Sequence, residues 1–169
     1  DSGIGMSEQE IVKALTPLGI AVVEDAAHAF PSRIHDSGRM AGTVGRMGAY
    51  SFYATKTITT AEGGMLVTDD ESLAARARLM SLHGIGRDAW KRYGPGGRAY
   101  YDVLAPGFKY NMMDVQAALG LEQLARFESM QARRAEIWRI YDDGLADLPL
   151  RLPAPPVAGT THAHHLFTV

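Results

Sequence analysis

The chain contains no cysteine, which excludes a disulfide framework and thiolate chemistry. It has no basic excess, because 17 lysines and arginines face 19 aspartates and glutamates, whereas a nucleic-acid-binding protein is usually basic. No run approaches the roughly 18 apolar residues that a membrane span requires, and residues 1–5 are unlike a signal peptide. We therefore expect a cytoplasmic protein that binds neither nucleic acid nor membrane, and we expect no metal site.

A helix that leads into a buried strand is the first pattern present in the chain. Ser7 and Glu10 have the spacing of a capping box, apolar residues then follow at helical spacing, and Gly19 suits the end of the helix. The run 20–23 is continuously apolar and rich in branched side chains, which is typical of a buried parallel strand. A helix followed directly by such a strand is half of an α/β unit, so the sequence predicts an α/β fold.

Further elements follow along the chain. Residues 49–54 and 63–68 are predicted strands, and a predicted helix over 71–80 begins after the capping pair Asp69 and Asp70. Helical spacing of apolar residues predicts a long helical region over 114–148. With 46% hydrophobic residues among 169, the chain can form one sizeable core.

The last part of the chain predicts a change of domain. Prolines concentrate in residues 149–161, which have the composition of a linker, and residues 165–169 begin a predicted strand. We therefore expect residues 1–148 to be part of a large domain and 162–169 to be the truncated start of a small C-terminal domain. This pattern indicates a piece of a longer protein.

Two strand ends carry the most informative chemistry. Asp25 ends the run 20–25, and Lys56 follows the predicted strand 49–54. A lysine can form a Schiff base with the aldehyde of pyridoxal phosphate, and an acid can pair with its pyridine nitrogen and make the ring an electron sink. Alone, each residue has an ordinary interpretation, as a turn cap or a solvated surface cation. Together, at strand ends where α/β sheets bind ligands, they favour a pyridoxal phosphate site.

Four more polar residues are candidates for the same site. His28 could touch the ring hydroxyl of the ligand, although a lone histidine is more often an ordinary loop or core residue. Ser51 is a candidate phosphate hydroxyl. Lys109 and Asn111 could approach an anion, and the alternative is that their segment only starts a helix with Asp114 near its cap.

Three ordered segments resemble the sugar aminotransferases of the DegT/DnrJ/EryC1/StrS family, a branch of the fold-type I pyridoxal phosphate enzymes. They are VVEDAAHA, SFYATK with TTAEGGMLVTDD, and APGFKYNMMDVQAALGLEQL, and the likeness spans about residues 15–148. The segment 83–107 is most similar to the subgroup that acts on UDP-linked 4-keto sugars. The resemblance implies part of the large cofactor-binding domain, with a mainly parallel sheet flanked by helices.

The resemblance also implies individual roles. Lys56 is the Schiff-base lysine, Asp25 pairs with the pyridine nitrogen, and Ser51 contacts the phosphate. His28 lies near the ring hydroxyl, at a position that is often glutamine in the family. Tyr53 stands where histidine is frequent, which concerns substrate contacts more than the cofactor.

A loop shared between two subunits is implied as well. Many members have Asn-Tyr-Arg where this chain has Lys109-Tyr110-Asn111, and in the family's homodimer this loop reaches the phosphate of the neighbouring subunit. The resemblance thus predicts a homodimer with shared active sites, in which either Lys109 or Asn111 makes the contact.

The implied activity is transamination of a nucleotide-linked keto-sugar by an amino-acid donor, with glutamate as the expected donor, in polysaccharide or lipopolysaccharide biosynthesis. Two alternatives remain at this stage. One is a pyridoxal phosphate-dependent sugar dehydratase on the same fold, but such relatives carry histidine where this chain has Lys56. The other is a non-catalytic regulatory relative.

Overall fold

The computed structural model describes residues 8–34, 37–86 and 101–169. The chain divides into two compact units, the first formed by residues 1–67 and 114–169 and the second by 68–113. The elements, in chain order, are α1 (Glu8–Leu15), a short 3-10 helix (Thr16–Leu18), β1 (Val23–Asp25), β2 (Met47–Ser51), β3 (Gly64–Val67), α2 (Glu71–Ser81), α3 (Asp114–Ala125) and α4 (Phe127–Leu145).

A small mixed sheet organises the first unit. β1 pairs in parallel with β2, with Asp25 opposite Ala49, and β2 pairs antiparallel with β3, with Tyr50 opposite Met65. Residues 26–46 connect the two parallel strands, as a parallel pair requires a long connection. The predicted α/β class is confirmed.

The first strand differs from its prediction. Residues 20–23 were expected to form a buried strand, and this is wrong, because β1 begins only at Val23 and Val23 is 61% exposed. The reason is local. Gly19 takes the left-handed conformation with φ 70°, and the N–H of Ile20 still bonds the carbonyl of Leu15 at 3.2 Å. Gly19 thus ends the helical segment, as predicted, by capping the short 3-10 helix that follows α1, and it delays the strand.

The second strand is also displaced from its prediction, from 49–54 to Met47–Ser51. The chain leaves the sheet after Ser51 and turns, with the N–H of Lys56 bonded to the carbonyl of Tyr53 at 3.0 Å. The third strand agrees with its prediction to within one residue at each end.

The helices agree more closely with expectation. Asp70 is the N-cap of α2, and its Oδ1 accepts from the N–H groups of Ser72 and Leu73 at 2.9 and 3.1 Å. The single helical region expected over 114–148 is two helices that meet at Arg126, whose ψ is 0°. Ser7 and residues 87–100, which carry parts of the predicted capping box and of the irregular segment, lie outside the described residues.

The core of the first unit is small and includes the sheet residue Tyr50. Its ring meets Phe30 edge-on, and Phe30 in turn contacts Phe127 of α4. The Tyr50 hydroxyl donates to the carbonyl of Ala41 at 2.6 Å, and burial, with the nearby charge of Glu24, raises the pKa of Tyr50. In the described part of the chain, the buried apolar side chains include those of Ala26, Tyr50, Phe52, Ile58 and Ala163.

The segment that follows residue 160 packs without forming a strand. Thr161 makes an isolated bridge with Arg33, and residues 162–169 have no strand assignment, so the strand predicted over 165–169 is wrong for this structure. The reason is that His164 has a positive φ of 49° and that the rings of this segment pack on Trp138 of α4. The proposed boundaries 1–148, 149–161 and 162–169 stay a prediction.

The second unit consists of α2 and the chain that returns beside it. Leu82 bridges to Lys109 and Ile85 bridges to Val103. Gly84 has a φ of 68°, and an added Cβ there would fall on the carbonyl oxygen of Ala105. This close approach requires glycine. Within the described ranges of both units, no helix has the length and apolar character to cross a membrane.

Candidate active site

Asp25 and Ser51 lie at the carboxyl ends of neighbouring parallel strands. Asp25 ends β1 and lies opposite Ala49 of β2, and Ser51 is the last residue of β2. The exposed carboxylate of Asp25 accepts from the N–H of Ala27 at 3.1 Å through Oδ1, so it does cap the turn that follows. Its Oδ2 has no hydrogen-bond partner in the described part of the chain and is available to a ligand.

Lys56 sits in the turn that follows Ser51. The N–H of Tyr53 bonds Oγ of Ser51 at 3.3 Å, and the turn closes with the Lys56 N–H on Tyr53. Among the described residues, none forms a hydrogen bond or an ion pair with the Lys56 amine. A half-buried lysine amine without an acidic partner is suited to bind or to react.

Threonines hold the backbone that carries Lys56. Thr57 is buried, and its hydroxyl donates to the carbonyl of Phe30 at 2.8 Å. Thr59 and Thr60 both bond the carbonyl of Phe52, Thr59 through its hydroxyl at 3.2 Å and Thr60 through its N–H at 2.9 Å. These bonds attach the lysine turn to the end of β2, so the backbone of Lys56 is fixed.

His28 and Lys56 approach a common neighbour, His165. The rings of His28 and His165 meet edge-on with centroids 4.7 Å apart. Burial, followed by the positive charges of His28, Lys56 and Arg134, lowers the pKa of His165. His165 was not predicted as a site residue, because its segment was assigned to a strand and its position depends on distant contacts. The only available sequence signal was the pair of adjacent histidines, 164 and 165.

Glu24 is the other residue that the sequence analysis missed. Its carboxylate accepts three backbone N–H groups, those of Gly42 at 2.6 Å, Val44 at 2.7 Å and Gly45 at 2.5 Å. Glu24 precedes Asp25 on the same strand, so the two side chains point to opposite faces. This alternation was the signal that only one of the two acids could serve the site.

Lys109 and Asn111 belong to the second unit. Their side chains bond each other, with Nζ of Lys109 donating to Oδ1 of Asn111, and both residues are exposed. The prediction that one of them reaches the phosphate of a partner subunit is not tested by this single chain. No group of three or more potential metal ligands occurs within the described residues.

The sequence matches the DegT/DnrJ/EryC1/StrS aminotransferase family over residues 5–169. The chain belongs to this family. It is 44% identical over 158 residues to the uncharacterized protein MJ1066 of Methanocaldococcus jannaschii, covering 94% of this chain and 40% of that protein. It is 47% identical over 151 residues to the spore coat polysaccharide biosynthesis protein SpsC of Bacillus subtilis, covering 89% of this chain and 38% of that protein. The chain thus spans about two fifths of the length of these curated relatives.

Solved aminotransferase structures share the fold. The aminotransferase TlmJ of Streptoalloteichus hindustanus superposes with a TM-score of 0.81 at 35% identity, over 94% of this chain and 41% of that one. The PLP-form of the sugar aminotransferase Spr1654 of Streptococcus pneumoniae superposes with a TM-score of 0.74 at 34% identity, over 88% of this chain and 36% of that one. DesI in the presence of its TDP-sugar product superposes with a TM-score of 0.77 at 31% identity, over 96% of this chain and 38% of that one. The predicted fold and family are confirmed.

Pyridoxal phosphate is the cofactor of this family, as predicted. The residues present fit it chemically. An amine without a partner at Lys56 suits an aldehyde, a free carboxylate oxygen at Asp25 suits a protonated ring nitrogen, and a hydroxyl at Ser51 suits a phosphate. Asp25 and Ser51 lie at the carboxyl ends of their strands, and Lys56 lies in the turn that follows β2.

Proposed function

We propose that the protein containing this chain is a pyridoxal phosphate-dependent aminotransferase. It moves an amino group from an amino-acid donor, glutamate, to the keto group of a nucleotide-linked sugar, so that the donor becomes a 2-oxo acid and the sugar an amine. The observation that carries this proposal is the placement of Asp25, Ser51 and the unpartnered amine of Lys56 at one sheet edge. The TDP-sugar product named for DesI supports the nucleotide-linked substrate.

Lys56 is the residue that attaches the cofactor and moves the proton. Its amine would hold the cofactor through the aldehyde and, when free, would be the base that takes the proton from the donor carbon that carries the nitrogen. The bonds from Thr57 and Thr59 keep its backbone in place during this exchange. A fixed base close to the reacting carbon makes the proton transfer effectively intramolecular.

Asp25 and Ser51 orient the cofactor, and Asp25 also stabilises its positive charge. Bound pyridoxal phosphate supplies an electron sink, and its efficiency depends on a positive charge at the ring nitrogen. The negative charge of Asp25 stabilises that positive charge, since a fixed opposite charge in a shielded site needs no reorganisation. Ser51 donates its hydroxyl to the phosphate, and His28 lies beside the ring hydroxyl.

The proposed assembly is a homodimer with shared active sites, in which Lys109 or Asn111 of one subunit reaches the phosphate bound by the other. The proposed setting is the cytoplasm and the biosynthesis of a polysaccharide or lipopolysaccharide, which the name of the relative SpsC supports.

The test uses the full-length protein with pyridoxal phosphate. Its visible absorption should bleach when glutamate is added, and the ¹⁵N of labelled glutamate should appear in a keto-sugar nucleotide from a panel of TDP- and UDP-linked 4-keto sugars. Bleaching without transfer to any sugar would contradict the sugar substrate. Absence of both colour and bleaching would favour a non-catalytic relative, and loss of water from the sugar without nitrogen transfer would favour a dehydratase.

A further inference from the structure

Three basic side chains from separate segments, those of His28, Lys56 and Arg134, gather near His165. We call the four residues together the His165 cluster: His28, Lys56, Arg134 and His165. The ring of His165 contacts that of His28, and the charges of Lys56 and Arg134 act on it. The guanidinium of Arg134 also donates to the backbone carbonyl of Lys56 at 3.5 Å. The cluster therefore includes the lysine on which the proposed chemistry depends.

Positive charge in this cluster has no acidic partner. In the described part of the chain, no carboxylate pairs with Arg134 or Lys56, and no acidic group is among the charges that act on His165. The neighbouring Arg133 is different, because it is exposed and bonds Glu136 at 2.7 Å. A partly buried charge left unpaired is costly, so an anion that completed the cluster would be bound favourably.

Nδ1 of His165 adds an unpartnered polar atom. It is buried and bonds nothing in the described part of the chain. Burial and the surrounding positive charges lower the pKa of His165, so the ring is neutral at neutral pH. A neutral imidazole with a proton on Nδ1 donates one hydrogen bond to an anion, while Arg134 supplies the charge.

We propose that the His165 cluster binds the carboxylate of the amino-acid donor. The inference rests on the proposed function. An α-amino acid carries its carboxylate on the carbon that bears the nitrogen, so a donor whose nitrogen takes the place of the Lys56 amine brings its carboxylate next to that lysine. The phosphate, which is the competing anion, already has a proposed partner in Ser51 at the end of β2.

The experiment measures binding of glutarate, a dicarboxylate without an amino group, to the full-length protein loaded with pyridoxal phosphate. Arg134→Gln should raise the Kd for glutarate about tenfold or more, because a charge-assisted hydrogen bond is lost. Arg133→Gln, one residue away on the same helix, is the matched control and should leave that Kd unchanged. Arg134→Lys should restore part of the affinity, since it keeps the charge and loses the planar fork.

His165→Phe provides an independent variant. It keeps a ring against His28 and removes the N–H, so glutarate should again bind more weakly while thermal unfolding stays close to that of the parent protein. Affinity for pyridoxal phosphate, measured by absorbance titration, should change neither in Arg134→Gln nor in His165→Phe.

Three results would overturn the assignment. Arg134→Gln and Arg133→Gln could bind glutarate equally well, or His165→Phe could bind it like the parent. Alternatively, Arg134→Gln could weaken inorganic phosphate or pyridoxal phosphate and not glutarate, which would make the cluster a phosphate site. A protein that binds glutarate through Arg134 but passes no nitrogen to a sugar would refute the proposed function alone.

Discussion

Glu24 and Asp25 are adjacent acids with different tasks. Because successive side chains of a strand point to opposite faces, Glu24 meets the loop 42–45 while Asp25 is exposed at the sheet edge. One carboxylate thus organises the connection that brings β2 beside β1, and the other remains available for a ligand. The first task is structural and the second is chemical, and the two respond to different measurements.

Replacing Glu24 with alanine should lower the free energy of unfolding by about 2–4 kcal/mol, since three backbone N–H groups lose a charged acceptor. Urea unfolding of the full-length protein measures this loss. Asp142→Ala removes the same charge from an exposed position of α4 and should change stability by less than about 0.5 kcal/mol. Equal effects of the two substitutions would show that the Glu24 hydrogen bonds contribute nothing.

Replacing Asp25 with alanine should leave the cofactor attached to Lys56 and slow the amino-transfer rate by about 100-fold or more, because the charge that we propose to stabilise the ring nitrogen is lost. Stopped-flow absorbance after addition of glutamate measures that rate. Asp143→Ala on α4 is the control and should keep the parental rate. A parental rate for Asp25→Ala would remove this carboxylate from the mechanism.

At the level of secondary structure, the parallel pairing of β1 and β2 depends on a close backbone approach. A Cβ added to Gly48 would fall on the carbonyl oxygen of Gly42, so the loop could not lie against β2. Gly42 itself has a φ of 95°, which favours glycine. The sheet edge that carries Asp25 and Ser51 therefore requires these two glycines.

Gly48→Ala should destabilise the protein by several kcal/mol, about 3 or more, because the clash is with backbone and cannot be relieved by a side-chain rotation. Gly144→Ala is the matched control, since its Cβ would meet nothing within 4 Å in α4, and it should be neutral or stabilising by up to about 1 kcal/mol. Thermal unfolding compares the two. A Gly48 variant as stable as the parent would contradict the described packing.

Partly buried histidines next to α4 should make stability depend on pH. His162 and His164 contact Trp138, and burial is the main cause that lowers the pKa of each. The unfolded chain, with an ordinary histidine pKa of about 6.5, then binds more protons than the folded chain just below that pH. The contribution of these histidines to stability is therefore fully present above pH 6.5 and should be lost as the pH is lowered towards 5.

Urea unfolding at pH 7 and pH 5 tests this dependence. His164→Asn should reduce the difference between the two pH values, because one of the titrating groups is removed. His83→Asn is the control, as His83 has a similar φ of 54° against 49° for His164 but an exposed side chain, and it should keep the parental difference. Identical pH dependence in both variants would exclude His164 as a contributor.

Local signals were read correctly from the sequence, and signals that depend on distant contacts were not. The cap at Asp70 and the helix end at Gly19 were predicted because each involves only neighbouring residues. Asp25 at the end of a strand was predicted for the same reason, whereas Ser51, which ends β2, was predicted to lie inside a strand over 49–54. The position of His165 was missed, because its contact with His28 joins residues far apart in the chain.

At the scale of the whole molecule, the chain corresponds to only part of the length of its relatives. It spans about two fifths of the length of its curated relatives, so the proposed activity belongs to the full-length protein. The second unit carries Lys109 and Asn111, whose side chains bond each other. Sequence motifs predicted the family, and the proposed contact of Lys109 or Asn111 with the phosphate involves a second subunit.

The most direct test of the central claim is to map where the cofactor attaches. The full-length protein with pyridoxal phosphate is reduced with borohydride, digested and analysed by mass spectrometry. The pyridoxyl group should be found on Lys56, and Lys56→Ala should lose both the covalent label and all amino transfer, whereas Lys13→Ala, an exposed lysine of α1, should keep both. A label on another lysine of the parent protein, or amino transfer by Lys56→Ala, would contradict the account.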